Sequence, residues 1–324
     1  MELSVARVIV QYGVVWKLCD MELPPTGHDP VMLREVLRLL DPQTGQAFVD
    51  CTLGRAGHAA AIADRLGSGG LLIGLDADPR NLDFAAGRLK AVACPVRLFH
   101  ANFAELPQVL QEVGRPFVDG IVADLGISTN QLFDSEYGLS FDRDAPLDMR
   151  IDPQTSQNAA DLVNRWPEER LAQVLYELAQ ERYARRIARK IVEARRISPI
   201  KNTEALAELV RSAVPRRGGA PSRIDPATRT FLALRMAVNG EMENLAALLK
   251  HGPPTLAPGG CMAVISFQST EDRAVKQAFR LLEQAGAVKL LTKKPLSPTP
   301  EEIARNPRAR SAKLRVIQRG AASC

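Results

Sequence analysis

Four places in this 324-residue chain put ligand-suited side chains where a short apolar run ends. The first is AFVDCTLGRAGHAAAI (47–62): an apolar run, an acidic residue, a turn holding Gly54 and Gly57, then an apolar helical stretch. Glycines in such a turn let the main chain approach a ligand closely, and the start of the following helix offers N–H groups without partners. The second is GLLIGLDAD, whose Asp76 stands 22 residues after Gly54, where a carboxylate can accept hydrogen bonds from both hydroxyls of an adenosine ribose. HANF (100–103) and ADLG (123–126) add an aromatic, Phe103, and a second carboxylate, Asp124, at the ends of two further runs. The glycine spacing is G-x-x-G rather than G-x-G-x-x-G, which weakens a nicotinamide reading.

These residues need a scaffold that gathers strand ends. The runs at 47–50, 70–76, 96–103 and 118–126 alternate with helical stretches, after a first helical pattern over 30–40. Apolar strands alternating with helices predict an α/β fold with a mostly parallel sheet covered on both faces, and ligands bind such sheets outside the carboxyl ends of the strands. From about 134 to 223 the pattern is helical without strands, which predicts an inserted all-helical subdomain. Alternation then resumes: Phe231, Leu234, Val238, Met242, Leu245 and Leu249 fit one amphipathic helix, CMAVISF (261–267) reads as a buried strand and AKLRVIQR (312–319) as a final one. The expected organisation is an N-terminal extension at 1–27, a sheet domain built from 28–133 and 224–320, and the insertion at 134–223. Residues 1–23 fit nothing that follows, and Met21 is the expected true start.

Composition narrows the class of partner. Hydrophobic residues are 46% and charged residues 24%, an ordinary globular mix. No apolar stretch reaches the length of a membrane span. Five scattered cysteines without a C-x-x-C pair argue against a disulfide framework and a zinc site, and a reducing cytoplasm fits best. The formal net charge is only +5, yet 14 Lys/Arg face 5 Asp/Glu over 181–235, and 8 face 2 over 293–319. Two basic segments on an acidic body point to a polyanion.

The longer motifs carry a specific resemblance. HDPVMLREVL (28–37), VDCTLGRAGH (49–58), IGLDADP (73–79), DGIVADLGISTNQL (119–132), GLSFDRDAPLDMRID (138–152), DPATRTFLALRMAVNGEMENL (225–245), APGGCMAVISFQSTEDRAVK (257–276) and NPRARSAKLRV (306–316) run in order over nearly all the chain after residue 27. Together they resemble the bacterial small-subunit rRNA cytosine-N4 methyltransferases. The resemblance implies a class I, Rossmann-like methyltransferase that uses S-adenosyl-L-methionine on small-subunit rRNA or the assembling small subunit, in the cytoplasm and away from membranes. Ala56, Gly57 and His58 would then line the methionine and ribose side of the cofactor. Asp76 would hold the ribose and Phe103 the adenine region, with Asp124 and Gln131 completing the site. Asp124 is the first candidate to take the amine proton, Ser266 and Gln268 are second candidates to touch the base, and Arg229, Arg235, Arg308, Arg310 and Lys313 would meet rRNA phosphates. No metal ligand set is implied, and a single copy and a homodimer both stay open.

Four departures from the family pattern matter. Ala56 stands where two glycines commonly precede the histidine, and the usual S-F-H-S reads Ser266-Phe267-Gln268-Ser269. Asp225 replaces a histidine before PATR, and Thr129, Asn130 and Phe133 alter the loop after DLG. They keep a rival open, a non-catalytic rRNA-binding assembly paralogue; a nicotinamide-dependent oxidoreductase is the other rival.

Overall fold

The computed structural model describes residues 30–215 and 225–320, and the backbone of 8–11 and 14–17. Strands β1 (Val8–Gln11) and β2 (Val14–Lys17) pair antiparallel. The rest of the N-terminal extension, including the expected start at Met21, lies outside the described residues. The main run is α1 (Leu33–Leu40), β3 (Ala47–Asp50), α2 (Gly57–Leu66), β4 (Leu71–Asp76), α3 (Pro79–Arg88), β5 (Val96–His100), α4 (Leu106–Val113) and β6 (Val118–Asp124). Six helices follow: α5 (Thr129–Phe133), α6 (Ala159–Arg165), α7 (Glu168–Ala179), α8 (Ala184–Arg195), α9 (Thr203–Ala213) and α10 (Ala227–Val238). The chain ends with α11 (Glu241–His251), β7 (Leu256–Ser266), α12 (Ser269–Gln284), β8 (Val288–Leu290), α13 (Pro300–Arg305) and β9 (Lys313–Arg319).

Strands β3 to β9 form one seven-stranded sheet in the order β5-β4-β3-β6-β7-β9-β8. Pairing is parallel from β5 across to β7, and β9 runs antiparallel to both its neighbours. The fold class is therefore α/β with a mostly parallel sheet. The chain winds outward from β3 to β5, then returns to lay β6 on the other side of β3, so the winding reverses between β3 and β6. In open parallel sheets that reversal opens a crevice outside the carboxyl ends of the two strands. Phe48, Val49, Ile73, Leu75, Ile121, Ala123 and Val264 are fully buried. Burial on both faces is why the central strands read as unbroken apolar runs.

Two sequence expectations change. The single helix expected over 231–249 is two, because Asn239 and Gly240 break it and Gly240 takes a left-handed φ of 57°. Strand β7 starts at Leu256, five residues before the expected 261, since its first part contains Pro258, Gly259 and Gly260, residues that read as a loop.

The chain divides into an α/β unit, Pro24–Gly126 with Met242–Cys324, and a helical unit within Ile127–Glu241. The junctions fall outside the expected 134 and 223, so α5 and α10 count with the helices. The helical unit has its own core, with Leu171, Leu175, Ile187, Ile191, Leu206, Val210 and Leu234 buried in one cluster. Its motif residues hold one another. Arg150 makes an ion pair with Asp148, and Asn239 accepts from the Ile151 N–H and donates to the Met149 carbonyl, tying the DMR loop to the end of α10. Asp225 accepts from the Ala227 N–H at the start of α10 and from the Arg211 guanidinium, a structural use for this departure. Among the described residues no helix is long and apolar enough to cross a membrane, and no group of three His, Cys, Asp or Glu side chains is placed to hold a metal ion.

Candidate active site

Strand β3 delivers Asp50 to the crevice, and the turn after it is pinned to both neighbouring strands: the Cys51 N–H donates to the Val122 carbonyl and the Leu53 N–H to the Leu75 carbonyl. The Gly54 N–H then donates to Asp76 Oδ2 at 2.7 Å, joining the glycine turn to the end of β4. Ala56 is fully buried with a left-handed φ of 58°, and Gly57 opens α2. A side chain at Gly57 would begin 3.0 Å from the Pro30 ring, so only glycine fits without displacing it. The first turn of α2 thus faces the crevice, with the Ala59 N–H on the Asp50 carboxyl.

Asp76 is not the cap of the next helix. Asp78 does that work, accepting from the Arg80 N–H with Pro79 at the first helical position, while Asp76 accepts from the Asp78 N–H and lies within 3.3 Å of the Asn81 amide. The Ala101 N–H donates to the Asp76 carbonyl, which sets the exit of β5 so that Phe103 starts a short 3-10 turn two residues on.

Asp124 ends β6, and its N–H donates to Thr52 Oγ1 on the adjacent turn at 2.6 Å. Its Oδ2 is 4.0 Å from His58 Nδ1, and its Oδ1 is buried without a hydrogen-bond partner among the described residues. The other ring nitrogen of His58 lies 2.9 Å from the Val31 carbonyl. A carbonyl only accepts, so Nε2 carries the hydrogen and Nδ1 keeps its lone pair toward Asp124. One residue further, the Met32 N–H donates to Glu302 Oε1 at 2.6 Å, so α13 holds the turn that orients His58.

At the end of β7, Ser266 is buried and its hydroxyl lies 3.5 Å from the Lys313 carbonyl, inside the sheet. Gln268 begins α12, where Glu271 accepts from the Phe267 and Gln268 N–H groups. Its side-chain Nε2 is buried without a partner among the described residues.

Burial dominates the electrostatics. It pushes the Asp50 carboxyl up to about 7 and Asp76 up to about 6, each partly offset by N–H donors. Asp124 is held well above the ordinary carboxylate range by burial first and then by the charges of Asp50, Glu271 and Glu302. Burial also lowers His58 to about 4, keeping it neutral. Several carboxyls that resist ionisation surround a neutral imidazole, an environment that favours a cationic ligand.

Of the residues expected from the sequence, the α/β unit carries Ala56, Gly57, His58, Asp76, Phe103 and Asp124 on the turns and strand ends of β3 to β6, and Ser266 and Gln268 at the end of β7. Gln131 belongs to the helical unit, where its buried side chain accepts from the Ser128 N–H at the start of α5. Of the expected phosphate contacts, Arg229 and Arg310 are exposed. Arg235 and Arg308 are not, at 6% and 7% exposure; Arg235 is held by both carboxylate oxygens of Glu241, so it serves the fold. Lys313 lies 3.3 Å from Asp272, which also binds Arg315. Sequence reasoning missed Thr52, Glu271 and Glu302. Glu271 carries a signal, an acid three residues into a helix after a strand; Glu302 lies 270 residues from its partner and carries none. It also missed Arg55, whose guanidinium stacks 4.3 Å over the Phe84 ring beside the glycine turn.

Comparison with known proteins agrees with this geometry. Residues 25–320 match the MraW methylase family. The ribosomal RNA small subunit methyltransferase H of Syntrophotalea carbinolica is 48% identical over 90% of this chain and 98% of its own length. The proteins of the same name from Pelobacter propionicus and Syntrophobacter fumaroxidans are each 44% identical, over 90% and 91% of this chain and 98% and 97% of their own. With the glycine turn, Asp76 and the buried strand-end carboxylate Asp124 in place along a match that spans nearly the whole chain, this protein belongs to the MraW methylase family of S-adenosylmethionine-dependent methyltransferases.

Proposed function

We propose that this enzyme methylates the N4 exocyclic amine of a cytosine in small-subunit rRNA, near the decoding centre. One observation carries the chemistry: Asp124 ends a central strand at the crevice with a buried Oδ1 that has no hydrogen-bond partner among the described residues. The names of the relatives supply the rRNA substrate.

The residues present fit the cofactor. Asp76 would accept from the ribose hydroxyls, Ala56, Gly57 and the α2 N-terminus would lie along the methionine and ribose side, and Phe103 would border the adenine. The desolvated carboxyls suit a positive charge, and bound S-adenosylmethionine supplies a methyl on a positively charged sulfur. Asp124 Oδ1 then accepts a hydrogen bond from the cytosine amine, which draws the nitrogen lone pair out of conjugation with the ring. Asp124 would take the proton that the amine loses on methylation. Burial strengthens the carboxylate as a base, and His58, held neutral with its Nδ1 lone pair 4.0 Å from Oδ2, does not compete for the proton. Gln268 Nε2, a donor without a partner among the described residues, would suit a base carbonyl, and the lack of a titratable ring there is harmless with Asp124 as the acceptor. Ser266, turned into the sheet, has only a supporting part.

Small subunits from cells lacking the modification, incubated with the protein and labelled S-adenosylmethionine and then digested, should yield labelled N4-methylcytidine. Asp124→Asn should lower kcat by about 10²- to 10⁴-fold while cofactor affinity changes only a few-fold. No labelled methylcytidine, with an active relative working in parallel, would overturn the catalytic reading in favour of a binding paralogue.

A further inference from the structure

We propose that the exposed face of α8, led in by Arg182, is the main phosphate-contacting ridge of this protein on its rRNA substrate; the proposal rests on the rRNA reading above. The sequence reading looked for phosphate contacts at Arg229, Arg235, Arg308, Arg310 and Lys313, and the structure buries or pairs three of those. The α8 cations are different. Ala184, Ile187, Ala188, Ile191 and Val192 point into the helical core, which turns Arg185, Arg186, Arg189 and Lys190 outward, and Arg182 and Arg196 extend the exposed set at both ends.

Among the described residues, contacts inside the fold offset this arrangement only weakly. Arg185 and Arg186 occupy the first turn, which contains no acidic residue, although the dipole of a helix favours acids there and disfavours cations. The pairs Arg185–Arg189, Arg186–Arg189 and Arg186–Lys190 stand at the three- and four-residue spacings where like charges destabilise a helix. Two weak contacts relieve it, Arg189 with Glu168 and Lys190 with Glu193, both at 3.6 Å and largely in water. The helices packed against α8 mix their exposed charges, with Glu169, Arg170 and Glu177 on α7, Glu204, Glu208 and Arg211 on α9, and Arg165 on α6. A solvated face mixes its charges, as those neighbours do; α8 with its two ends instead sets six exposed cations against the single exposed acid Glu193, at a cost to that helix. Five of the six are arginines, whose planar fork binds phosphate oxygens bidentately. The apolar side of α8 is committed to the core, so the helix cannot lay that side into a lipid surface as membrane-binding helices do. A phosphate backbone is the partner that fits.

The test compares two variants of equal charge change in the full-length protein. In one, Arg182, Arg185 and Arg186 become Glu; in the other, Lys250, Arg273 and Arg280, exposed on α11 and α12, become Glu. The first should flatten the dependence of log K on log salt for naked small-subunit rRNA by about 2, given a slope of about 0.7 per phosphate contact on single strands. It should raise KM for the rRNA at least tenfold near physiological salt, with S-adenosylmethionine affinity and kcat at saturating rRNA unchanged. The second should leave slope and KM close to the parent. Equal slopes in the two variants would overturn the proposal. So would a loss seen only with intact small subunits and not with naked rRNA, which would assign the ridge to a ribosomal protein. If the parent protein itself shows no salt-dependent rRNA binding, the rRNA reading has failed rather than the choice of helix.

Discussion

The carboxyls at the ends of β3, β4 and β6 and the arginines of α8 are both charge clusters, but one is buried and the other stands in water. Burial makes each carboxyl at the crevice expensive to ionise, so the α/β unit holds latent negative charge that a cationic ligand can release. Exposure leaves the α8 cations fully charged and individually weak, and their effect grows with the number of phosphates met and shrinks with salt. A net charge of +5 averages the two and describes neither. Position relative to solvent decides what a charge does.

Helix α10 allows the sharpest attack on that contrast, because it carries one arginine of each kind. Arg235 is buried and paired with Glu241 at 2.7 Å, whereas Arg229 is exposed. Arg235→Ala leaves Glu241 without its partner in a largely buried place, and should cost about 3 to 5 kcal/mol of stability. Arg229→Ala should change stability by less than about 0.5 kcal/mol, and should show instead as weaker, less salt-sensitive rRNA binding. Urea unfolding and a salt titration of both variants decide it; equal stability losses would dissolve the distinction.

A smaller effect tests the crevice. Asp50 has a folded pKa of about 7, above the ordinary carboxylate value, so between about pH 4 and 7 the folded protein holds a proton that the unfolded chain has lost. On this account the stability of the ligand-free protein falls as pH rises through that window. His58 works the other way: with its pKa lowered to about 4, its contribution is lost as pH falls below about 6.5. Asp50→Asn should therefore raise the Tm of the free protein by several degrees at pH 8, with the gain fading toward pH 4. Binding should show the complementary trend. S-adenosylmethionine should bind more tightly relative to uncharged S-adenosylhomocysteine as pH rises from 5 to 8, by up to about tenfold, and Asp50→Asn should flatten that ratio. A ratio constant across the range in the parent protein would show that these carboxyls do not respond to the ligand charge.

Much of this contrast was legible in the sequence, unevenly. The strands leading to Asp50, Asp76 and Asp124 announce themselves because strands buried on both faces must be apolar throughout, and the glycine turn because few residues tolerate its backbone. Burial of individual charges was not legible. Arg229 and Arg235 lie on one helix of one basic motif, and only the packing of α10 shows that the second faces inward to Glu241. Gln131, expected beside the cofactor, closes the start of α5 through a three-residue hydrogen bond, a pattern that S-T-N-Q displays. Glu302 could not have been found, since its partner Met32 is brought to it by the closure of the whole sheet unit. The helix break at Asn239-Gly240 was visible in composition and was outweighed by an apolar period that continues across it.

The smallest effect concerns strain in the crevice, for which α8 has no counterpart. Ala56 takes a φ of 58°, a conformation that costs a residue with a β-carbon about 1 to 2 kcal/mol. Its neighbour Gly57 has an ordinary helical position and is needed for space, with Pro30 3.0 Å from where a β-carbon would sit. The two positions should therefore respond in opposite directions. Ala56→Gly removes the strain but frees the unfolded chain and deletes a fully buried methyl, so the gain should be at most about 1 kcal/mol, read as a Tm rise of a degree or two. Gly57→Ala must push Pro30 aside, and with it Val31, whose carbonyl orients His58. That variant should lose stability and also S-adenosylmethionine affinity, whereas Ala56→Gly should keep or improve the affinity. Calorimetry on the two single variants separates the cases: if Ala56→Gly lowers Tm, the left-handed turn is held by the buried methyl rather than in spite of it.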